Sequence, residues 1–192
     1  MMPKWVMLWV GGPSMILIIG FVGWVSLKGI SNTENIIEMK LEQKVQEVIK
    51  KVKACAVEVY HELGDGWPEG IYHKSMEVAL RLAGFPYETQ RILPITYKGF
   101  VVGESIPDLV VWIEDGKNRV GVVMDLKWEP GIQENHSAQV AKYIRELKKQ
   151  IKENESVYPC GYVINFLKSA TSKKIDEEKL ECSQGVQILE VK

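Results

Sequence analysis

The sequence holds only three cysteines, Cys55, Cys160 and Cys182, and no Cys-x-x-Cys pair. Their number is odd and their spacing wide, so neither a disulfide framework nor a zinc site is indicated. We read all three as reduced and mostly buried, in a cytosol-like compartment. A charge imbalance is also absent: 24 Lys and Arg face 25 Asp and Glu, a net charge of −1. That excludes a global basic field for nucleic acid and leaves any such surface to be local. There is no internal repeat and no low-complexity tract. At 192 residues there is room for one domain with a sizeable core, plus an appendage.

Charge is missing altogether from Trp5 to Leu27. The run exceeds the roughly 20 apolar residues that a helix needs to cross a bilayer. Trp5, Trp9 and Trp24 lie near its ends, where amphipathic rings favour the interface, and Lys4 and Lys28 bracket it. Gly11-Gly12-Pro13 is a kink that membrane helices tolerate. A cleaved signal peptide has a shorter apolar stretch and a small-residue end, whereas this one ends in Trp24-Val25-Ser26-Leu27-Lys28. A buried helix of the soluble domain is the third option. The expectation is a single-pass transmembrane anchor over residues 1–30. Lys28, Lys40 and Lys44 follow the span while only Lys4 and the amino terminus precede it. The positive-inside rule then places the C-terminal domain on the cytoplasmic side.

Ser31-Asn32-Thr33-Glu34 fits a capping box, so a helix is expected to start there. Ile37, Leu41, Val45, Val48, Val52, Cys55, Val59 and Leu63 recur in steps of three and four, on one helical face, until Gly64-Asp65-Gly66. Residues 31–44 read as a helical stalk and 45–192 as the domain. The same stripe serves either a core-packed helix or a coiled coil, which would make a homodimer or a larger membrane-bound assembly. A second helix is expected from Glu69 to Ala83. Strands follow at Arg91–Tyr97, Val101–Glu104, Asp108–Ile113 and Val120–Lys127. Then come a helix at Asn135–Glu153, a strand at Tyr158–Phe166, a short helix at Ser172–Leu180 and a strand at Val186–Val191. This order implies an α/β domain with a mixed sheet.

The chemistry concentrates in Pro107-Asp108-Leu109-Val110-Val111-Trp112-Ile113, a turn at Asp115-Gly116-Lys117-Asn118, and Arg119 to Lys127. An antiparallel hairpin centred between Gly116 and Lys117 sets Asp108 opposite Asp125, with Lys127 on the same face as Asp125. Leu109, Val111, Val122, Met124 and Leu126 fall on one face, and Val110, Trp112 and Val123 on the other. Strands apolar on both faces are central ones. Two facing carboxylates repel and are costly to bury unpaired. A divalent cation relieves both problems, and carboxylates are its usual ligands. A nearby lysine can orient or help deprotonate a water and stabilise charge developing on a phosphate. The plainer alternative is an Asp125–Lys127 salt bridge with Asp108 merely starting a strand.

Pro-Asp followed across one hairpin by Asp-x-Lys resembles the PD-(D/E)XK nuclease superfamily. Gly66-Trp67-Pro68-Glu69-Gly70-Ile71-Tyr72 is similar to the GxxExxY motif, which names one family within it. His136-Ser137-Ala138-Gln139 with Tyr143 resembles that family's HxxQ…Y helix. Tyr97-Lys98-Gly99 resembles its middle turn, and Gly161 to Phe166 its late apolar strand. The resemblance runs in order from Lys44 to the C-terminus and implies a nuclease-like mixed sheet flanked by helices. It implies that Asp108 and Asp125 bind Mg2+ or Mn2+, with the Leu126 carbonyl completing the site, and that Lys127 acts on the attacking water. Glu69 is implied as an extra acidic group beside the metal, and Gln139 as a residue lining the site. The alternative for Glu69 is a carboxylate favoured by the helix dipole. For Gln139 and His136 it is capping and packing, which is the preferred reading of His136.

Lys142, Arg145, Lys149 and Lys152 follow helical spacing. They read as a solvated face, with phosphate contact as the other option. Trp128 either stacks on a base or packs. His61 and His73 lack partners at metal-ligand spacing and receive no role. The functional expectation is a membrane-anchored, divalent-metal-dependent nuclease acting on DNA or RNA. The alternative is a non-catalytic nuclease-like module used as a membrane-bound scaffold. The resemblance gives that alternative one concrete form, a membrane-associated virion component of a large DNA virus.

Overall fold

A computed structural model of the chain describes residues 27–168 and 180–192. The expected membrane span lies outside them except for Leu27, and so does the expected helix at 172–180 except for Leu180. Among the described residues no helix is long and apolar enough to cross a membrane. Two compact units are distinguished, residues 1–36 and 37–192. Of the first, residues 27–36 are described, and they are helical.

Helix α1 spans Leu27–Leu63 without interruption. It therefore does not begin at Ser31-Asn32-Thr33-Glu34, where the capping pattern places a start. Ser, Asn and Thr cost at most about 0.7 kcal/mol each inside a helix, so a capping sequence invites a helix start without enforcing one. Within the second unit the expected stripe is buried at Val45, Val52, Cys55 and Val59, joined by Ile49 and Ala56. The stripe is core-packed against the sheet. Tyr158 Oη donates to Glu42 Oε1 at 2.7 Å and accepts from Gln46 Nε2 at 3.1 Å. Helix α2 spans Glu69–Leu82 and buries Tyr72, Met76 and Leu80 on the same layer. It stops at Gly84, whose φ of 76° suits a residue without Cβ.

The strands are β1 (Tyr87–Thr89), β2 (Leu93–Tyr97), β3 (Phe100–Ser105), β4 (Leu109–Asp115) and β5 (Asn118–Lys127). After helix α3 (Glu134–Lys148) come β6 (Glu155–Val157), β7 (Gly161–Phe166), β8 (Leu180–Ser183) and β9 (Val186–Val191). The main sheet runs β1-β4-β5-β7-β9-β8, with β6 also pairing β5. It is mixed: β5 is parallel to β6 and β7, and the other pairs are antiparallel. Helices α1 and α2 cover one face and α3 the other.

The expected hairpin forms with the expected register. Leu109 faces Met124, Val110 faces Val123 and Asp115 faces Asn118 across the Gly116-Lys117 turn. Leu109, Val111, Val122, Met124 and Leu126 go to the α1/α2 layer, and Val110, Trp112 and Val123 to the α3 layer. Both strands are central. Helix α3 lies directly on β7: a Cβ at Gly161 would clash with Val140 and come 2.9 Å from the Val123 carbonyl oxygen.

Three features depart from the sequence reading. β2 and β3 leave the main sheet and form a two-stranded sheet of their own, closed by Lys98 and Gly99 at φ 49° and 84°. Helix α3 ends at Lys148 instead of Glu153, because the following chain pairs with β5 as β6. The buried Glu155 carboxylate fixes that turn, accepting from the Lys152 N–H at 3.1 Å and from the Arg119 guanidinium. Finally, β1, β6 and β8 occupy stretches with no strand expected.

Candidate active site

The hairpin's open end carries the two acids. Asp108 is the last residue before β4, and Asp125 sits two residues from the end of β5. The alternation of β5 aims Asp125 and Lys127 to one side. There Lys127 Nζ lies 2.9 Å from Asp125 Oδ2 and 3.9 Å from Asp108 Oδ2. Asp108 Oδ2 also accepts from the Leu126 N–H at 2.8 Å. The three groups that the sequence brings to one hairpin end are therefore brought together in space.

Asp125 is the most constrained of them. Its side chain is 1% exposed, and neither oxygen has a hydrogen-bond partner. Its charged neighbour is Lys127, with Nζ 2.9 Å from Oδ2. Burial pushes the Asp125 carboxyl up to about 7, opposed by Lys127 and reinforced by Asp108. Mutual repulsion between the acids, the reason offered by the sequence, is thus secondary to desolvation. Burial also works to lower the Lys127 pKa, but Asp125, then Asp108 and Glu69, outweigh it and raise it.

Glu69 opens α2 beside the site, and its charge reaches Lys127. Its Oε1 lies 3.3 Å from Nε2 of His73, one turn along the helix. Sequence reasoning left His73 aside, yet Nε2 also lies 3.3 Å from the Leu126 carbonyl oxygen and Nδ1 lies 3.9 Å from Asp108 Oδ1. The signal that could have found it is the four-residue step from Glu69, which puts both on one helical face.

From the other layer, α3 carries Tyr143 near enough for the charges of Asp125 and Asp108 to act on its phenol. The Gln139 amide donates to Tyr143 Oη. Burial pushes the Tyr143 phenol up, Gln139 opposes this, and Asp125 and Asp108 add to it. His136 is buried, accepts from the Gln133 N–H at 3.2 Å, and so caps α3 as preferred. Trp128 donates to Asp65 at 3.1 Å, with Tyr72 stacked 6.1 Å away and Lys168 Nζ 4.3 Å from its ring. It packs. Tyr72 itself is buried, stacks on Phe166 and donates to the Gly64 carbonyl at 2.8 Å. Arg145 and Lys149 pair with Glu146 at 3.1 and 2.7 Å, and Lys152 lies beyond the end of α3.

Among the described residues no three His, Cys, Asp or Glu side chains form a ready metal cage. The donor set nevertheless fits a hard divalent cation, since carboxylate and carbonyl oxygens are what such ions take. The two hydrogen-bond-free oxygens of buried Asp125 are the observation that favours the fit.

The Asp125 shift fixes a pH dependence. Its folded pKa of about 7 exceeds the ordinary aspartate value of about 3.9. Between those two pH values the folded state holds a proton that the unfolded state has released. The resulting stabilisation is fully present below about pH 4 and is lost as pH rises towards 7, by at most about 1.4 kcal/mol per pH unit. Urea unfolding in chelator at pH 4.5 to 7.5 is expected to show this loss in wild type and a flatter profile in Asp125→Asn. Parallel profiles would contradict it.

A family model described as the PD-(D/E)XK nuclease superfamily matches residues 46–177. No curated protein and no solved structure matches the chain. The matched span takes in Glu69, Asp108, Asp125, Lys127 and Gln139. With more than half of its length matched, and with a mixed sheet flanked by helices carrying the two acids and the lysine together, the chain belongs to the PD-(D/E)XK nuclease superfamily.

Proposed function

We propose that this protein is a membrane-anchored, divalent-metal-dependent nuclease of the GxxExxY kind, hydrolysing phosphodiester bonds in DNA or RNA. The observation that carries the reading is the meeting of buried Asp125 with half-buried Asp108 and Lys127, with both Asp125 oxygens lacking hydrogen bonds. Asp108 and Asp125 would hold Mg2+ or Mn2+, with Glu69 and the Leu126 carbonyl as further oxygen donors. The cation, when bound, supplies Lewis acidity at a phosphate oxygen.

The chain's own groups do the rest. Lys127, with its raised pKa, stays an ammonium near neutral pH. That suits it to orient a water and to stabilise negative charge growing on the phosphate, and not to remove a proton. Asp125 holds the ammonium in place through the 2.9 Å contact. Gln139, turned by Tyr143, lines the site from α3. The Leu126 N–H fixes one oxygen of Asp108 and so sets the direction of the other.

With Mn2+ or Mg2+ the full chain is expected to nick nucleic acid. Asp108→Ala, Asp125→Ala and Lys127→Ala should each lower the rate by about a hundredfold or more, with circular dichroism unchanged. Equal activity in all three variants would place the cleavage elsewhere. Metal binding without cleavage of any DNA or RNA would instead favour the scaffold reading.

The anchor rests on the uncharged stretch from Trp5 to Leu27. After alkaline extraction of membranes the chain is expected to remain in the pellet. Release into the supernatant would remove the anchor from the account.

A further inference from the structure

The two-stranded sheet of β2 and β3 is tied to Asp108 by both of its legs. The chain entering it gives the Gln90 N–H to the Asp108 carbonyl at 3.1 Å, and the chain leaving it runs from Ser105 through Ile106 and Pro107 straight to Asp108. Its root is held: Leu93 is buried in the α3 layer, and Arg91 pairs with Glu88 of β1 at 2.8 Å. Its far end is bare. Every residue from Ile95 to Val102 is exposed. Tyr97 and Phe100 face each other across the Lys98-Gly99 turn, 64% and 76% exposed, and Val101 and Val102 follow at 64% and 62%. A two-stranded hairpin is marginal on its own in water. Large apolar side chains gathered at its free end therefore mark a surface that a partner covers.

Charge and reach narrow what that partner is. From Ile92 to Gly103 the only charged residue is Lys98, and the nearest acid that follows is Glu104, at the root. The Lys98 ammonium lies 5.4 Å from the centre of the Tyr97 ring. Flat rings beside a lone cation, with no carboxylate among them, suit a nucleobase stacked on an aromatic face with its phosphate close by. The five residues of β2 carry the turn about 17 Å from the root, at about 3.3 Å each. That is about five nucleotides at about 3.4 Å per step. A strand whose scissile phosphate lay at Asp108 would come within reach of the arm.

We propose that the β2–β3 hairpin is a base-stacking arm, with Tyr97 and Phe100 as its contacts, that directs the site to nucleic acid with unpaired bases beside the cleaved bond. The inference rests on the nuclease reading of Asp108, Asp125 and Lys127 and adds to it the class of substrate. In an uninterrupted duplex each base face is covered by the next base, so exposed rings gain nothing without first unstacking it. A single strand, or a junction where a duplex splays, offers free base faces. Lys98 adds a phosphate contact that every substrate shares. The preference therefore runs from single strand and splayed junction down to closed duplex.

The test uses the full chain in detergent with fluorescein-labelled DNA and RNA of one sequence, each as a single strand, a splayed duplex and a closed duplex. Binding is read by anisotropy in Ca2+, and nicking separately in Mn2+. Wild type is expected to bind the single strand and the splayed duplex about tenfold or more tightly than the closed duplex, and the double variant Tyr97→Ala, Phe100→Ala to lose that margin. Tyr97→Phe and Phe100→Tyr, which keep the rings, should retain it. Iodouracil placed in the single strand cross-links under light to an aromatic side chain stacked on it. The wild-type adduct, mapped by mass spectrometry, is expected at Tyr97 or Phe100, and this readout does not depend on any variant folding. Equal binding of all three forms, a double variant that keeps the margin, or adducts only elsewhere would overturn the arm, while continued nicking would leave the nuclease reading standing. A double variant that keeps the margin but loses self-association, or sedimentation with phosphatidylglycerol vesicles, would assign the hairpin to a second copy or to lipid and overturn the arm. Binding without nicking of any form would overturn the nuclease reading and with it the arm's part in choosing a substrate.

Discussion

The site is organised around one costly placement, the Asp125 carboxylate inside the central strand of the main sheet. β5 has β4 on one side and β6 and β7 on the other, and the Asp125 side chain near its end is 1% exposed. Burying a carboxylate there costs several kcal/mol unless it is neutralised or paired. Lys127 offsets part of this at 2.9 Å, and the rest appears as a carboxyl pushed up to about 7. A purely structural ion pair would do better with its oxygens hydrogen-bonded, and these are not. The placement makes physical sense when a second cation completes it.

The remaining elements hold that placement in register. The Gly116-Lys117 turn sets β4 against β5, which brings Asp108 to the same end. Helix α2 starts at Glu69 and carries His73 towards Leu126 and Asp108. On the opposite layer α3 rests on Gly161 of β7, and that seat brings Tyr143, hydrogen-bonded by Gln139, within reach of the acids' charges. The acids, the lysine and the imidazole thus come from one hairpin and one helix start. Substitutions within the helices' packing surfaces act on the site through these seats.

The hairpin was legible in the sequence for a physical reason: a two-residue turn with Gly116 and strict alternation leave one register that buries both apolar faces. The burial of Val45, Val52, Cys55 and Val59 followed from helical periodicity in the same way. Other features depended on tertiary partners. β6 is three residues, and it forms because Glu155 finds Arg119 and β5; its own propensity gives no strand signal. The end of α3 moved for the same reason. β2 and β3 alternate well enough to be seen as strands, but alternation does not say which sheet they join. His73 escaped because a search for metal spacing looks along the chain. Its partners are Glu69 one turn earlier and two groups on distant elements.

The central claim is that Asp108 and Asp125 form a cation site. Thermal melts of wild type and Asp108→Asn, each in Mn2+ and in chelator, test it most directly. At a hundredfold excess over the Kd, Mn2+ is expected to stabilise wild type by about 2–3 kcal/mol by mass action. The same Mn2+ should leave Asp108→Asn nearly unmoved, and in chelator that variant should be at least as stable as wild type. A wild type indifferent to Mn2+, together with a clearly destabilised Asp108→Asn, would make Asp108 an ordinary structural carboxylate and contradict the account.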